Sequence, residues 1–432
     1  MYTLYSFLLT VGFILMTPIF LLKREKYAAG FRQRLGVLPE FVPDGRRVVW
    51  LHCVSVGETN AARPLVEEIL KSFPDCRLIV STTTRTGQEL AREIFKDKAA
   101  AVFYFPFDFK FSVRRALRHF RPAAILLVET EIWFNFLREA NKSGALTAIV
   151  NGRLSERSCR RYSYIKNFIR RVLTYVDLAL MQGNADAKRL MALGAHPTKV
   201  KVTGNIKFDQ SFEPGALTGA LGERFGITPE APLIVAASTH APEERRLLEA
   251  FKLLWKDSLE RLPRLLLVPR HPERFDEVAG LIAETGFEWV RRSAAASEKD
   301  RRAEIILLDS IGELRAVYPL AEIVFVGGSL IPHGGQSILE PAVAGKPIAT
   351  GFYTMNFAAA VREFLEHDAL IQLPETDEQS IAGELARVFT DLLKDPEKRA
   401  ALSRNALDVM RRNRGATART IENLKPFLSR AE

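Results

Sequence analysis

Five side chains able to do acid, base or electrostatic chemistry follow short apolar runs in the first half of the chain. Glu58 lies in Ser55-Val56-Gly57-Glu58-Thr59, just after an apolar stretch and at the start of a helical pattern. A carboxylate near a helix N-terminus is expected to stay ionised and suits the removal of a proton from an attacking hydroxyl. It could equally serve only to cap the helix, which is the commoner use of an acid at that spacing. Glu129 and Glu131 flank Thr130 after the run Ile125 to Val128. On an extended segment the two would face the same way and could bind a metal or a sugar; alternatively they open the next helix as N-terminal acids. No Asp-x-Asp occurs anywhere in the chain, which argues against a metal-dependent sugar-nucleotide site. Lys207, in Gly204-Asn205-Ile206-Lys207-Phe208-Asp209, and Arg153, in Asn151-Gly152-Arg153, are cations in similar turns. Lys207 is placed to meet a phosphate, although most exposed cations only solvate a surface.

The second half carries a different set. Ser238-Thr239-His240 and Pro269-Arg270-His271-Pro272-Glu273-Arg274 each follow an apolar run, and Pro272 suits the first turn of a helix. Backbone donors and Arg270 could there converge on an anion. Val326-Gly327-Gly328-Ser329 and Gly334-Gly335-Gln336-Ser337 make a glycine-rich connection that permits close backbone approach to a phosphate or ribose, or forms only tight turns. It leads into Glu340-Pro341-Ala342, whose acid could accept bonds from ribose hydroxyls. No Gly-Lys-Ser/Thr ends the loop, so it is neither a Walker A motif nor a dinucleotide fingerprint.

These segments need a scaffold that delivers strand ends, and the hydropathy pattern supplies one. Short apolar runs alternate with amphipathic stretches, the rhythm of βαβ units. Expected strands are 48–53, 77–81, 101–105, 123–128, 146–150, 178–181 and 200–203, then 233–237, 265–268, 288–290, 305–308, 323–326 and 347–349. The Gly- and Pro-rich stretch 212–232 offers no strand and is taken as the boundary. The expected fold is α/β, with two doubly wound, Rossmann-like domains facing a cleft and a closing helical region at 377–428.

With 432 residues, 47% hydrophobic and 26% charged, two folded domains are the default. Tyr2 to Leu22 contains no charged residue and is long enough to cross a hydrocarbon layer of about 30 Å. Nothing basic precedes it, while Lys23, Arg24, Lys26, Arg32 and Arg34 follow, an order opposite to a cleaved signal peptide. A single-pass anchor with the bulk of the chain in the cytoplasm is the expectation. The cysteines Cys53, Cys76 and Cys159 lack metal or disulfide spacing. The net charge of +10 calls for an acidic partner, and without a nucleic-acid motif the anionic membrane is favoured.

In their order, Ser55-Val56-Gly57-Glu58, Glu129 to Trp133, Arg153-Leu154-Ser155-Glu156-Arg157, Gly204 to Asp209, Ser238-Thr239-His240, Pro269 to Phe275, Gly312-Glu313-Leu314, Val326 to Ser329 and Glu340-Pro341-Ala342 resemble the family of 3-deoxy-D-manno-octulosonic acid (Kdo) transferases. The resemblance covers essentially the whole chain, anchor included. It implies GT-B architecture and inverting transfer of Kdo from CMP-Kdo to the lipid A precursor lipid IVA, without a metal or other cofactor, at the bacterial inner membrane. By the same resemblance Glu58 is the general base, while Glu131 and Lys207 support the transition state. CMP would be held by Pro269 and Arg270, by Ile311, Gly312 and Glu313, and by Ser337, Ile338, Leu339 and Glu340. The implied domains are an anchor at 1–22, an acceptor domain at 23–210, a linker at 211–231 and a CMP-Kdo domain at 232–432, its last helices packing back on the first. The chain departs from the family pattern at Phe134, Gln336, Ser337 and Pro242. A nucleotide-sugar epimerase on the same fold and a noncatalytic anionic-lipid-binding module are the rival readings. The basic stretch Arg157, Arg160, Arg161, Lys166, Arg170 and Arg171 either contacts lipid phosphates or is a solvated face.

Overall fold

Parallel strands buried on both faces must be apolar almost throughout, and the strands of this chain are. The computed structural model describes residues 1–22, 29–210, 214–255 and 262–429. Contacts divide the chain into two units, Met1–Asp209 with Asn413–Glu432, and Gln210–Arg412.

The first unit holds a parallel sheet of β1 (Arg47–Cys53), β2 (Cys76–Thr82), β3 (Ala101–Tyr104), β4 (Ala124–Val128), β5 (Leu146–Gly152), β6 (Leu178–Met181) and β7 (Val200–Val202). Its order is β3-β2-β1-β4-β5-β6-β7, so the winding reverses between β1 and β4. Trp50 faces one hydrophobic layer and Leu51 the other, as strand alternation requires. The Trp50 indole N–H donates to the Ser81 hydroxyl at 2.7 Å, which satisfies the one polar atom that this ring buries. Ile421, Leu424 and Leu428 of the C-terminal helix Ala416–Ser429 complete the second layer. Asp209 caps that helix by accepting the Gly415 N–H at 2.7 Å and the Thr417 N–H.

The second unit repeats the plan with β8 (Leu233–Thr239), β9 (Arg264–Pro269), β10 (Trp289–Arg291), β11 (Ile305–Leu307), β12 (Ile323–Val326), β13 (Ile348–Thr350) and β14 (Ile371–Gln372). The order is β10-β11-β9-β8-β12-β13-β14, all parallel, and its winding reverses between β8 and β12. Each strand expected from the sequence is present. The one missed, β14, is two residues at the sheet edge, too short to show a pattern. The expected linker is partly helical, at Ala216–Phe225.

Tyr2–Leu22 form one helix, α1, with Pro18 inside it. Among the described residues no helix is long and apolar enough to cross a membrane, so the expected single span is not shown. α1 is mounted on the first unit: the Tyr5 hydroxyl donates to Asp108 at 2.8 Å, and the Tyr2 ring lies edge-on to Phe168 with centroids 5.0 Å apart. Asp108 also accepts the Asn135 and Phe136 N–H groups at 3.0 and 2.7 Å, capping the helix Phe134–Lys142. Of the cations expected to flank a span, Lys23, Arg24 and Lys26 lie outside the described residues. Arg34 does not act as a surface cation. Its guanidinium donates to the carbonyls of Thr83 and Ala29 and lies over the Tyr104 ring, and burial lowers its pKa.

Candidate functional site

In a doubly wound sheet, ligands gather beyond the carboxyl ends of the strands where the winding reverses. In the first unit that point lies between β1 and β4, and the chemistry-bearing segments 54–58 and 129–131 continue from those two strands.

β1 runs through Cys53 into the helix Val56–Ala61, with Ser55 at its N-cap. Glu58, at the third helical position, turns back toward the strand. Its carboxylate accepts the Val54 N–H at 2.6 Å and the Ser55 hydroxyl at 3.2 Å. These bonds tie the start of the helix to the strand end, but they do not keep the group ionised as expected. Glu58 is only 8% exposed, and burial together with the charge of Glu129 pushes its pKa up to about 8. A carboxyl so placed exchanges its proton near neutrality.

β4 ends at Val128, and Glu129 takes the left-handed conformation with φ 60° while its N–H still donates to the Val150 carbonyl at 2.9 Å. The segment is thus not extended, and the acids do not open the next helix, which starts at Phe134 with no acid in its first turn. The kink lets Glu129 reach Lys207, whose ammonium sits 2.7 Å from its carboxylate. Glu131 is raised to about 7, by burial first and by the Glu129 charge second. Lys207 rides on the short turn Ile206–Asp209. That turn is tied to β5 through Asn151, itself at φ 53°, whose side-chain oxygen accepts the Ile206 N–H at 3.0 Å. Glu58, Glu131 and Lys207 therefore share one neighbour, Glu129, which the sequence offered only as one of a pair with Glu131 and not as the group that links the other three. Its signal was present in the Glu-Thr-Glu spacing, but the left-handed turn that separates the two acids was not.

The second unit builds its own site where β8 and β12 part. Glu243, fully buried at the start of the helix Glu243–Leu254, accepts four backbone N–H groups: His240 at 2.9, Gly328 at 2.7, Ser329 at 2.9 and Leu330 at 2.8 Å. One carboxylate thus clamps the glycine-rich loop to the end of β8. A Cβ at Gly327 would come within 2.8 Å of the Ser238 carbonyl oxygen and Thr239 Cα, so this glycine serves the chain's own close packing. Glu243 was also missed; the hint was a run of glycine N–H groups needing an acceptor.

Around the clamp lie His240, His271 and His333, the first ring 5.1 and 4.2 Å from the other two. The Gln336 amide meets His240 Nε2 at 3.1 Å. Burial and the neighbouring cations lower the His240 pKa to about 4, so the ring is neutral. Pro269 ends β9, and the Arg270 N–H donates to the Thr239 carbonyl at 2.9 Å, leaving its side chain exposed. Arg274 is occupied by Glu244 at 2.7 Å and Glu277 at 2.8 Å. Ile311 is 80% exposed beside Gly312 at φ 85°, and Glu313 accepts from Ser310 and Arg292. Ser337 accepts the Leu339 N–H, and Glu340 opens the helix Leu339–Val343. Ile338 and Leu339 are buried, so only their backbone can face a ligand.

Residues 29–210 match the family model described as 3-deoxy-D-manno-octulosonic-acid transferase (kdotransferase). The chain is 34% identical over 410 residues to the 3-deoxy-D-manno-octulosonic acid transferase of Haemophilus influenzae, covering 94% of this chain and 93% of that one. To the enzyme of the same name from Bordetella pertussis it is 33% identical over 393 residues, covering 88% and 87%. Among solved structures, a glycosyltransferase from Rickettsia africae is similar with a TM-score of 0.59 at 13% identity, covering 90% of this chain and 99% of that chain. The UDP-GlcNAc 2-epimerase of Neisseria meningitidis is similar with a TM-score of 0.59 at 14% identity, covering 88% and 99%. At such identity these two speak for the fold alone. The sequence relatives speak for more: the chain belongs to the 3-deoxy-D-manno-octulosonic acid transferase family and is a glycosyltransferase of Kdo.

Proposed function

We propose that this chain transfers Kdo from CMP-Kdo to lipid IVA with inversion at the anomeric carbon, in a GT-B arrangement at the cytoplasmic face of a bacterial inner membrane. The observation that carries the reading is the group at the ends of β1 and β4: a buried carboxyl, Glu58, poised near neutral pH beside Glu129, Glu131 and Lys207. An acceptor hydroxyl must lose its proton as it attacks, and a base with a pKa near the working pH takes it most effectively. In this reading the new bond forms from the acceptor oxygen to the anomeric carbon while the bond to the CMP phosphate breaks, and the electron pair leaves with CMP. Glu58 keeps the proton. Glu131 and Lys207 stabilise the charge that shifts between sugar and phosphate. Arg270, the exposed turn at Ile311 and Gly312, and the backbone of 337–340 hold the CMP moiety, with His240 and Gln336 beside them. Gln336 and Ser337 take the place of the family's usual His-Asn pair.

The test is Glu58→Gln assayed by radiolabelled Kdo transfer from CMP-Kdo to lipid IVA. A fall of about 10²-fold or more is expected while CMP-Kdo still binds, in the range of a lost general base; unchanged turnover would remove Glu58 from the mechanism. The reading includes no metal, because the chain has no Asp-x-Asp. Transfer is expected to persist in EDTA, and activity lost there and restored by magnesium would count against it.

A further inference from the structure

The sequence alone suggests that α1 crosses a bilayer, yet its contacts describe a helix lying down. Tyr2, Tyr5, Ser6 and Phe13 touch the rest of the first unit, and they recur on one side of the helix. Phe13 packs edge-on against Phe107 and Phe109, with centroids 5.3 Å away in each case. These contacts extend over three turns, so the first half of α1 is held along its length against one folded unit. A segment held in this way cannot also be wrapped in hydrocarbon on all sides.

The opposite side is apolar and bare. Leu4, Phe7, Leu8, Val11, Ile14 and Leu15 are exposed, Leu15 to 71%. At about 100° per residue they fall within an arc of roughly 120°, one stripe along the helix. Further exposed apolar residues lie near both ends of the docked segment. Near Tyr2 the helix Lys166–Leu173 is preceded by Tyr164 and Ile165, 82% and 40% exposed. Near Phe13 lie Phe31 and, stacked on Phe109, Phe111. An apolar face of this extent on a protein surface marks an interaction site.

Charge identifies the occupant. Arg157, Arg160, Arg161, Lys166 and Arg170, on either side of Tyr164 and Ile165, are all exposed, and among the described residues none of them forms a salt bridge. Aromatic and aliphatic side chains edged by unpaired cations match the boundary between anionic headgroups and acyl chains. A second copy of this chain would bring the same cations against themselves.

We infer that α1 lies in the plane of an anionic bilayer, its Leu4-Phe7-Leu8-Val11-Ile14-Leu15 face sunk among the acyl chains and its other face docked on the first unit. This rests on the proposed membrane setting and replaces a crossing helix by an in-plane one. The N-terminus then lies on the same side of the membrane as the catalytic units. Lipid contact made by a docked helix also holds the Glu58 site at a set height above the surface, where an acyl-anchored acceptor presents its sugar.

The experiment uses the full chain bearing a short N-terminal tag, in inverted inner-membrane vesicles, together with co-sedimentation of purified protein on phosphatidylglycerol/phosphatidylethanolamine vesicles. The expected result is a tag cleaved by added protease without detergent, and at least a tenfold loss of vesicle binding in the double variant Phe7→Glu/Ile14→Glu. Kdo transfer in detergent micelles should stay within twofold of the parent, because the substituted side chains touch neither the first unit's core nor Glu58. A protected tag would overturn the proposal in favour of a crossing helix. Full vesicle binding by the double variant would overturn it too, as would a parent that dimerises through this face and ignores lipid. Absence of Kdo transfer by the parent in micelles would instead refute the enzymatic reading and leave the vesicle result standing.

Discussion

The Lys207 ammonium lies 2.7 Å from the Glu129 carboxylate, and Glu129 is the charge that, after burial, does most to raise both Glu58 and Glu131. One left-handed residue at the end of β4 therefore neutralises the site's cation and raises the proton affinity of its two other acids. The pair is half-buried, so its Coulomb energy is less screened than that of a surface bridge.

This arrangement predicts the pH dependence of transfer. With Glu58 acting as base, kcat/KM should decline as pH falls below about 8, because the working form is the deprotonated one. Glu129→Gln removes the charge that raises Glu58, so the acidic limb should move to lower pH even as the rate falls through loss of the Lys207 partner. A pH–rate profile of parent and variant measures both effects. An unmoved limb with a lower rate would mean that Glu129 only supports the fold.

Stability should run the other way from activity. The folded chain keeps the Glu58 proton up to about pH 8, whereas an exposed carboxyl releases it near 4.5. Ionising Glu58 therefore costs the folded state more and more as pH rises through that window. Glu58→Gln avoids that cost and should melt higher than the parent at pH 8, on the order of 5 °C, with the gap closing toward pH 5. Thermal melts at the two pH values decide it; a variant less stable at pH 8 would show that the bonds from Val54 and Ser55 outweigh the burial of charge.

Glu243 makes a sharper structural prediction. Its two oxygens accept four backbone N–H groups in a fully buried setting. Glu243→Gln replaces one acceptor by a donor facing other donors and should destabilise by about 3 kcal/mol, measured by urea unfolding. Because the clamp shapes the loop beside His240 and Gln336, the KM for CMP-Kdo should rise more than kcat falls.

Asp209→Ala removes the acceptor for Gly415 and Thr417 and so uncaps the C-terminal helix. A loss of about 1–2 kcal/mol is expected, with faster amide exchange confined to 416–429. Exchange unchanged there would show that Ile421, Leu424 and Leu428 hold the helix by burial alone.

Much of this protein was legible in one dimension because its strands are buried on both faces and must be apolar nearly end to end. That rule located β1 to β13 and, with them, the turns that carry Glu58, Glu131, Lys207, Arg270 and the glycine-rich loop. The ordered short motifs were enough to indicate the family. Local pattern could not decide which way a side chain turns, because that depends on groups far along the chain. The left-handed turn at Glu129 has its meaning only beside Lys207, 78 residues on. Glu243 is buried because the N–H groups of Gly328 to Leu330, 85 to 87 positions away, need an acceptor. Arg34, which reads as a membrane-flanking cation, is spent on the Thr83 and Ala29 carbonyls. α1 carries no charged residue on any side, and packing against Asp108, Phe107 and Phe168 distinguishes the face that is docked from the face left for lipid.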